Sequence, residues 1–175
     1  MDPGRAIADL RELHRLTGGA EGARRVAWTG EWERAREFLR ERLAELPVAV
    51  ERDAAGNLWA TLEGDSEEIV AIGSHVDSVP AGGWLDGALG VFGALEALRS
   101  IAADGRPPRT VALVDWADEE GARFGRSLLG SSAFAGTLDL DAAGALTDAD
   151  GVSLPDAVGE HGVEFAAMGA AGEGR

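Results

Sequence analysis

The chain has 175 residues, of which 45% are hydrophobic and 27% charged, with 16 basic residues against 31 acidic ones. This composition is typical of a folded soluble protein with one hydrophobic core. The net charge of −15 argues against nucleic acid or an anionic membrane as a partner, because both need a cationic surface. All basic residues are Arg, and Cys and Tyr are absent, so any catalysis depends on carboxylates, the three His, hydroxyl groups or a metal ion.

No segment resembles a targeting signal or a membrane span. The amino terminus lacks a charged stretch followed by an apolar one, so we expect no signal peptide and a cytoplasmic location. The longest nearly apolar run, residues 88–98, is interrupted by Glu96 and is too short to cross a bilayer.

Two helices are predicted at the start of the chain. The first ends near residue 16 and is followed by a loop rich in Gly and Arg. The second covers residues 31–46 and ends at Pro47, which cannot continue a helix. Each has one apolar face. These faces comprise Ile7, Leu10 and Leu13 in the first helix and Trp32, Ala35, Leu39, Leu43 and Leu46 in the second.

Strands are predicted in the middle of the chain. Residues 48–62 alternate between apolar and polar on either side of an Asp53–Asn57 turn, which predicts an antiparallel hairpin. Residues 69–73 and 110–116 are continuous apolar runs, typical of strands buried on both faces. The helix predicted between them would make a right-handed crossover and pair them in parallel. We therefore expect an α/β fold, a three-layer sandwich with a mixed, partly parallel sheet.

Shorter elements are predicted in the remaining parts of the chain. The helix between the two apolar strands covers residues 87–102, with Val91, Phe92, Leu95 and Leu98 facing the core. Two short helices are predicted over residues 130–136 and 153–158, the second with Ser153 as its N-cap. The final stretch, residues 165–175, is rich in Gly and Ala and is expected to be a frayed end.

Polar groups follow the first buried strand. His75 and Asp77 lie just past its carboxyl end, where open α/β sheets place their ligands. An Asp two residues from a His can accept one ring N–H and leave the other nitrogen for a metal ion. The alternative is a strand-end His that is satisfied by a neighbouring carboxylate.

Two further acidic sites lie close to the sheet ends. Asp86 lies between glycines at the start of a helix, where an ordinary N-cap is the simpler interpretation. Glu119 and Glu120 follow the second buried strand; one could bind a metal ion while the other acts as a general base, or both could belong to a solvated loop. Considered together, a His and several carboxylates at successive strand ends indicate a site for Zn²⁺, Mn²⁺, Ni²⁺ or Co²⁺.

These segments resemble a known family. Gly73-Ser-His-Val-Asp-Ser-Val-Pro80, Gly82-Gly-Trp-Leu-Asp-Gly-Ala-Leu-Gly-Val91 and Asp118-Glu-Glu-Gly-Ala-Arg-Phe-Gly125 are similar to the motifs of M20-type dinuclear metallohydrolases. The resemblance is strongest to the hydantoinase/carbamoylase branch, which includes N-carbamoyl-L-amino acid hydrolases, allantoate amidohydrolases and β-ureidopropionases. The Asp53–Asn57 turn and the segment 27–29 are also similar to that branch.

The resemblance implies a dinuclear site that is held by several of these residues. His75 would bind one divalent ion, Glu120 would bind the other, and Asp86 would bridge both. Glu119 would be the general base that deprotonates the attacking water, and Asp77 would orient His75. The peptide bond after Asp86 would be cis. The implied reaction is hydrolysis of a carbamoyl or ureido C–N bond in a small-molecule substrate.

The resemblance also implies that part of the catalytic machinery is missing. The family uses further His ligands, one of them in a His-x-Glu-Gln-Gly segment, and this sequence contains no Gln. We therefore expect residues 1–175 to be the amino-terminal part of the catalytic domain, without the dimerisation or lid domain of full-length homodimers. The alternatives are a non-catalytic remnant, a subunit that needs a partner chain, or an M20 aminoacylase or dipeptidase. The roles of Arg123 and His161 stay open.

Overall fold

The computed structural model of the chain describes residues 1–173. Helix α1 (Pro3–Thr17) is N-capped by Asp2, whose carboxylate accepts two backbone N–H groups of the first turn. A small antiparallel ribbon, β1 (Gly18–Gly19) and β2 (Gly22–Ala23), follows where a loop was predicted. Helix α2 (Gly30–Leu43) is N-capped by the Thr29 hydroxyl.

The four-stranded sheet has the order β3-β4-β6-β5. Strands β3 (Ala49–Arg52) and β4 (Leu58–Leu62) form the predicted antiparallel hairpin, and β4 also pairs antiparallel with β6 (Thr110–Asp115). Strand β5 (Ile69–Ser74) pairs in parallel with β6, and helix α3 (Ala88–Ala103) makes the crossover between them. The predicted α/β class with a mixed, partly parallel sheet is therefore confirmed.

The main core lies between one face of the sheet and helices α1 to α3. The predicted inward residues of α3 are all fully buried there, as are Leu58, Ala60 and Leu113 on the sheet. The opposite face carries Trp59, Ala112 and Val114, which pack against Phe134 of helix α4 (Leu129–Phe134). This second covering layer is much smaller than the first.

Two burial predictions were wrong. Strand β5 was expected to be buried on both faces, but Ile69 and Val70 are 47% and 42% exposed. The reason is that β5 lies at the edge of the sheet, and no strand within residues 1–173 pairs with its outer side. Ile7 was placed on the buried face of α1, but it is 46% exposed, whereas Leu10 and Leu13 are buried.

The last third of the described chain is made of short helices. After α4 come α5 (Leu140–Gly144), α6 (Leu154–Glu160), which has the predicted Ser153 N-cap, and a 3₁₀ helix (Phe165–Ala170). The expectation of a frayed end was wrong for this 3₁₀ helix, because Met168 is fully buried in the core. Residues 174 and 175, which the same prediction included, lie outside the described residues. None of the helices in residues 1–173 is both long and apolar enough to cross a membrane.

Candidate metal centre

The topology brings the predicted site residues to one edge of the sheet. His75 directly follows β5, and Glu119 and Glu120 lie on the loop after β6. Because these strands are parallel, their carboxyl ends are adjacent. Asp86 lies two residues before α3, the helix that crosses from β5 to β6. The motifs are therefore neighbours in space although up to 45 positions separate them in sequence.

Asp77 joins the two loops. Its side chain is 1% exposed, its Oδ1 accepts the backbone N–H of Glu119 at 3.3 Å, and its Oδ2 accepts that of Glu120 at 3.1 Å. The same Oδ1 lies 3.4 Å from Nδ1 of His75. One carboxylate thus holds both the imidazole and the backbone of the adjacent glutamates.

His75 lies among negative charges. Its Nε2 is 3.4 Å from Oε2 of Glu119, and its Nδ1 is 3.2 Å from the backbone oxygen of Asp77. Burial lowers the pKa of His75, but the hydrogen bond to Asp77 and the charges of Asp77 and Glu119 outweigh burial and raise the pKa to about 9. The surroundings of this imidazole therefore favour a positive charge.

The carboxylates of the site also act on one another. Burial raises the pKa of Glu120, the positive charge of His75 lowers it, and the charges of Asp86, Asp77 and Glu119 raise it further. Asp86 is exposed, whereas Glu119 and Glu120 are partly buried. His and carboxylate are the ligands that Zn²⁺ and similar ions prefer, so the types of donor fit a divalent cation. However, within residues 1–173 no three His, Asp or Glu side chains are grouped closely enough to hold an ion.

Gly87 gives the His75 ring its space. Its φ of +62° is unfavourable for other residues, and a Cβ atom at this position would overlap the ring and the backbone oxygen of His75. The expected cis peptide bond after Asp86 is absent, since all described peptide bonds are trans. The requirement for Gly therefore comes from the positive φ and from the close approach of the imidazole.

Several buried polar residues around the site were not predicted from the sequence. Arg25 and Asp115 contact the backbone between His75 and Asp77, and Arg36 pairs with Asp115. Asp118 was noted only as the start of a motif, yet it is 1% exposed and accepts a hydrogen bond from Nε1 of Trp28 at 2.9 Å. Burial and the nearby charge of Asp77 raise the pKa of Asp118 to about 7. Among these buried polar residues, only Asp115 has a sequence signal, since it is a charged residue within a predicted apolar strand.

The two residues with open roles contact other parts of the fold. Nε of Arg123 donates to Asp148 at 2.9 Å, and its Nη1 donates to the backbone oxygen of Trp28. Nδ1 of His161 lies 3.2 Å from Oε1 of Glu33, and its ring packs edge-on against Trp28 and Trp32. These contacts attach Arg123 to Asp148 and to the segment before α2, and they pack His161 against that segment and against α2.

The chain matches a known protein family over most of its length. The model of the family described as Peptidase family M28 matches residues 57–173, which include β4 to α6 and all five predicted site residues. The chain belongs to peptidase family M28. The motifs had suggested an M20-type family, and that affiliation stays a prediction.

Individual relatives are amidohydrolases. The chain is 38% identical over 162 residues to an N-carbamoyl-L-amino-acid amidohydrolase of Paenarthrobacter aurescens, an alignment that covers 89% of this chain and 39% of the relative. It is 33% identical over 144 residues to an allantoate amidohydrolase of Bacillus subtilis, an alignment that covers 81% of this chain and 35% of that relative. The crystal structure of a hydantoinase/carbamoylase family amidase from Burkholderia ambifaria is similar with a TM-score of 0.87 and 36% identity, covering 94% of this chain and 41% of that one.

The chain is much shorter than these relatives and corresponds to about two fifths of their length. The predicted resemblance to the hydantoinase/carbamoylase branch is supported by both the sequence relatives and the solved structures. The activities named for these relatives belong to the full-length proteins.

Proposed function

We propose that residues 1–175 are the amino-terminal part of the catalytic domain of a metal-dependent hydrolase. Its reaction would be hydrolysis of a carbamoyl or ureido C–N bond, with a small N-carbamoyl amino acid or an allantoate-like compound as substrate. The relatives named for these two substrates support the reaction class. The observation that carries the proposal is the carboxylate of Asp77, which binds His75 and the Glu119–Glu120 backbone together at the ends of two parallel strands.

Each site residue has a role in this proposal. His75, Asp86 and Glu120 would hold two divalent cations such as Zn²⁺, Mn²⁺, Ni²⁺ or Co²⁺, and Asp77 keeps the imidazole oriented. The cations supply Lewis acidity and make water a nucleophile at neutral pH. Glu119 is the general base, since its carboxylate lies beside His75 and is partly exposed, so that it can take a proton from water and pass it to the leaving nitrogen.

The donor set present is insufficient for two ions. Three protein ligands shared between two cations give each ion about two, below the three or four that such sites use. No three possible ligands among the described residues lie close enough together to hold an ion. We therefore propose that further ligands come from polypeptide other than residues 1–173, either from the same protein or from a partner chain, and that these residues alone are nearly inactive.

The test uses the purified 175-residue chain and its His75→Ala variant. Titration calorimetry with Zn²⁺ and Co²⁺ should show weak binding that is lost in the variant. Assays with N-carbamoyl-L-amino acids and with allantoate should show little or no hydrolysis. Equal binding by the two proteins would contradict the metal site, and rapid hydrolysis by the chain alone would contradict the need for further ligands.

A further inference from the structure

The peptide groups on both sides of Val76 are held by buried charged side chains. The backbone N–H of Val76 donates to Oδ1 of Asp115 at 2.8 Å, and its backbone oxygen accepts from Nε of Arg25 at 2.6 Å. Val76 is the single residue between His75 and Asp77, and it is fully buried. Its backbone torsions therefore determine how the imidazole and the carboxylate face each other.

Asp115 is itself fixed by an ion pair. Nε of Arg36 lies 2.7 Å from Oδ2 of Asp115, and both side chains are fully buried. The remaining nitrogens of Arg36 donate to backbone oxygens, Nη1 to Gly56 at 2.6 Å and Nη2 to Asp115 at 3.2 Å. The carboxylate that holds Val76 is thus anchored to helix α2 and to the turn of the β3–β4 hairpin.

Arg25 connects the loop of His75 to the loop of Asp86. Its guanidinium is fully buried, and its Nη2 lies 3.5 Å from the backbone oxygen of Trp84. Its backbone N–H donates to the Ser78 hydroxyl at 3.0 Å, and its backbone oxygen accepts the N–H of Ser78 at 2.9 Å. Nη1 of Arg25 has no hydrogen-bond partner among the described residues. Such a burial of charge is costly.

We infer that Arg25, Arg36 and Asp115, here called the Val76 clamp, are positioning residues of the proposed metal centre. The inference rests on the proposed function, since it assigns the clamp to the placement of His75 and Asp77. A buried ion pair contributes little net stability, and apolar side chains of similar volume often replace one without loss. Stability alone does not account for two buried charged side chains that bind the peptide groups of Val76 and a third that anchors one of them, whereas placement of the two site residues does.

The decisive variant replaces the ion pair by apolar residues, Arg36→Met together with Asp115→Leu. This exchange removes both charges of the ion pair together, and it removes the acceptor of the Val76 N–H. The control is Asp9→Leu with Arg99→Met, another buried pair with an N–O distance of 2.7 Å that joins α1 to α3. Its carboxylate also pairs with Arg42 at 2.9 Å, so this exchange disturbs the core at least as much as the clamp variant does. Arg25→Met and Arg25→Lys form a second series, in which Lys can still donate one hydrogen bond to the Val76 oxygen.

Two measurements separate the inference from the proposed function. In the metal-free chain, the ¹⁵N NMR signals of the His75 imidazole and the amide exchange of Val76 should change in the clamp variants but not in the control. In the second measurement, the affinity for Co²⁺ should fall by about 10- to 100-fold in the clamp variants. Arg25→Lys should recover part of this loss.

The outcomes are distinguishable. Unchanged His75 signals and Val76 exchange in the folded Arg36→Met/Asp115→Leu chain would overturn the clamp. Equal losses of Co²⁺ affinity in clamp and control variants would also overturn it, since the effect would then be one of general stability. If the unmodified chain bound no Co²⁺ while the His75 signals changed as expected, the clamp would stand and the proposed metal centre would fail.

Discussion

Oδ2 of Asp77 lies 3.1 Å from the backbone nitrogen of Glu120, although 43 positions separate the two residues. This hydrogen bond ties the loop after β5 to the loop after β6. It makes Asp77 a structural link between the two halves of the candidate site, in addition to its contact with the imidazole of His75.

Replacement of Asp77 by Asn should separate these loops. The amide nitrogen of Asn is a donor, so it cannot accept one of the two backbone N–H groups that the carboxylate accepts now. We expect the affinity for Co²⁺ to fall by about 10- to 100-fold, measured by titration calorimetry. Asp139→Asn, at the N-cap of α5, is the control and should leave the affinity unchanged. An unaltered affinity in Asp77→Asn would remove Asp77 from the site.

The two glutamates should respond differently to neutralisation. In a protein that carries the complete set of ligands, Glu119→Gln should lower the rate of hydrolysis by about 10²- to 10⁴-fold with metal content retained. Glu120→Gln should lose metal instead. Metal analysis beside kcat measurements checks both expectations. Loss of metal from Glu119→Gln with retention in Glu120→Gln would show that the two roles are exchanged.

Gly87 and Gly93 form a matched pair for substitution by Ala. At Gly87 the positive φ and the overlap with the His75 ring should make Ala destabilising and should weaken Co²⁺ binding. At Gly93, inside α3, a Cβ atom meets nothing within 4 Å, and Ala should stabilise the protein by about 1 kcal/mol. Denaturant unfolding measures both effects. Equal stabilisation by both substitutions would contradict the placement of His75 against Gly87.

The ionisation of Glu96 makes the free energy of unfolding depend on pH in the acid range. The hydrogen bond from Arg5 lowers its pKa to about 2; burial opposes this shift, and the N–H of Asp2 and the charges of Arg5 and Arg99 reinforce it. Because the folded-state pKa lies below that of an unfolded Glu, about 4.3, the stabilisation is complete above that value. It is lost as the pH falls from about 4.3 towards about 2.

Thermal melts between pH 2 and pH 6 test this prediction. The melting temperature of Glu96→Gln should be lower than that of the unmodified chain at pH 6, and the difference should shrink on acidification. Glu63→Gln is a suitable control, since Glu63 is 81% exposed in its side chain and its nearest cation lies 4.0 Å away. A difference that stays constant with pH would exclude Glu96 as the source.

The periodicity of apolar residues predicted the helices and strands whose structure follows from local sequence. Helix α3 follows its apolar spacing, and the hairpin follows its alternation and its Asp53–Asn57 turn. The same reasoning could not separate β5 from β6, because both are short apolar runs and only the strand order shows which is at the edge. The ribbon of β1 and β2 has two residues per strand, too few for any period to appear.

The candidate site was inferred from the sequence where side chains carry a motif. His75, Asp77, Asp86, Glu119 and Glu120 were identified from short patterns at strand ends, and the structure places them at one edge of the sheet. The members of the Val76 clamp were not identified, because the groups that they bind are distant in the sequence and form no motif with them. Arg25 and Asp115 are 51 and 39 positions from Val76, so only the folded chain connects them.

The exposed edge of β5 has a consequence for handling the protein. Its outer N–H and C=O groups have no strand partner within residues 1–173, and Ile69 and Val70 lie beside them in solvent. An uncovered apolar edge of this kind is a template for pairing between molecules. Purified preparations of this polypeptide should therefore form oligomers and aggregates as their concentration rises, despite a net charge of −15. Val70→Lys should lower this tendency to aggregate, because a charged side chain on an edge strand opposes pairing between molecules.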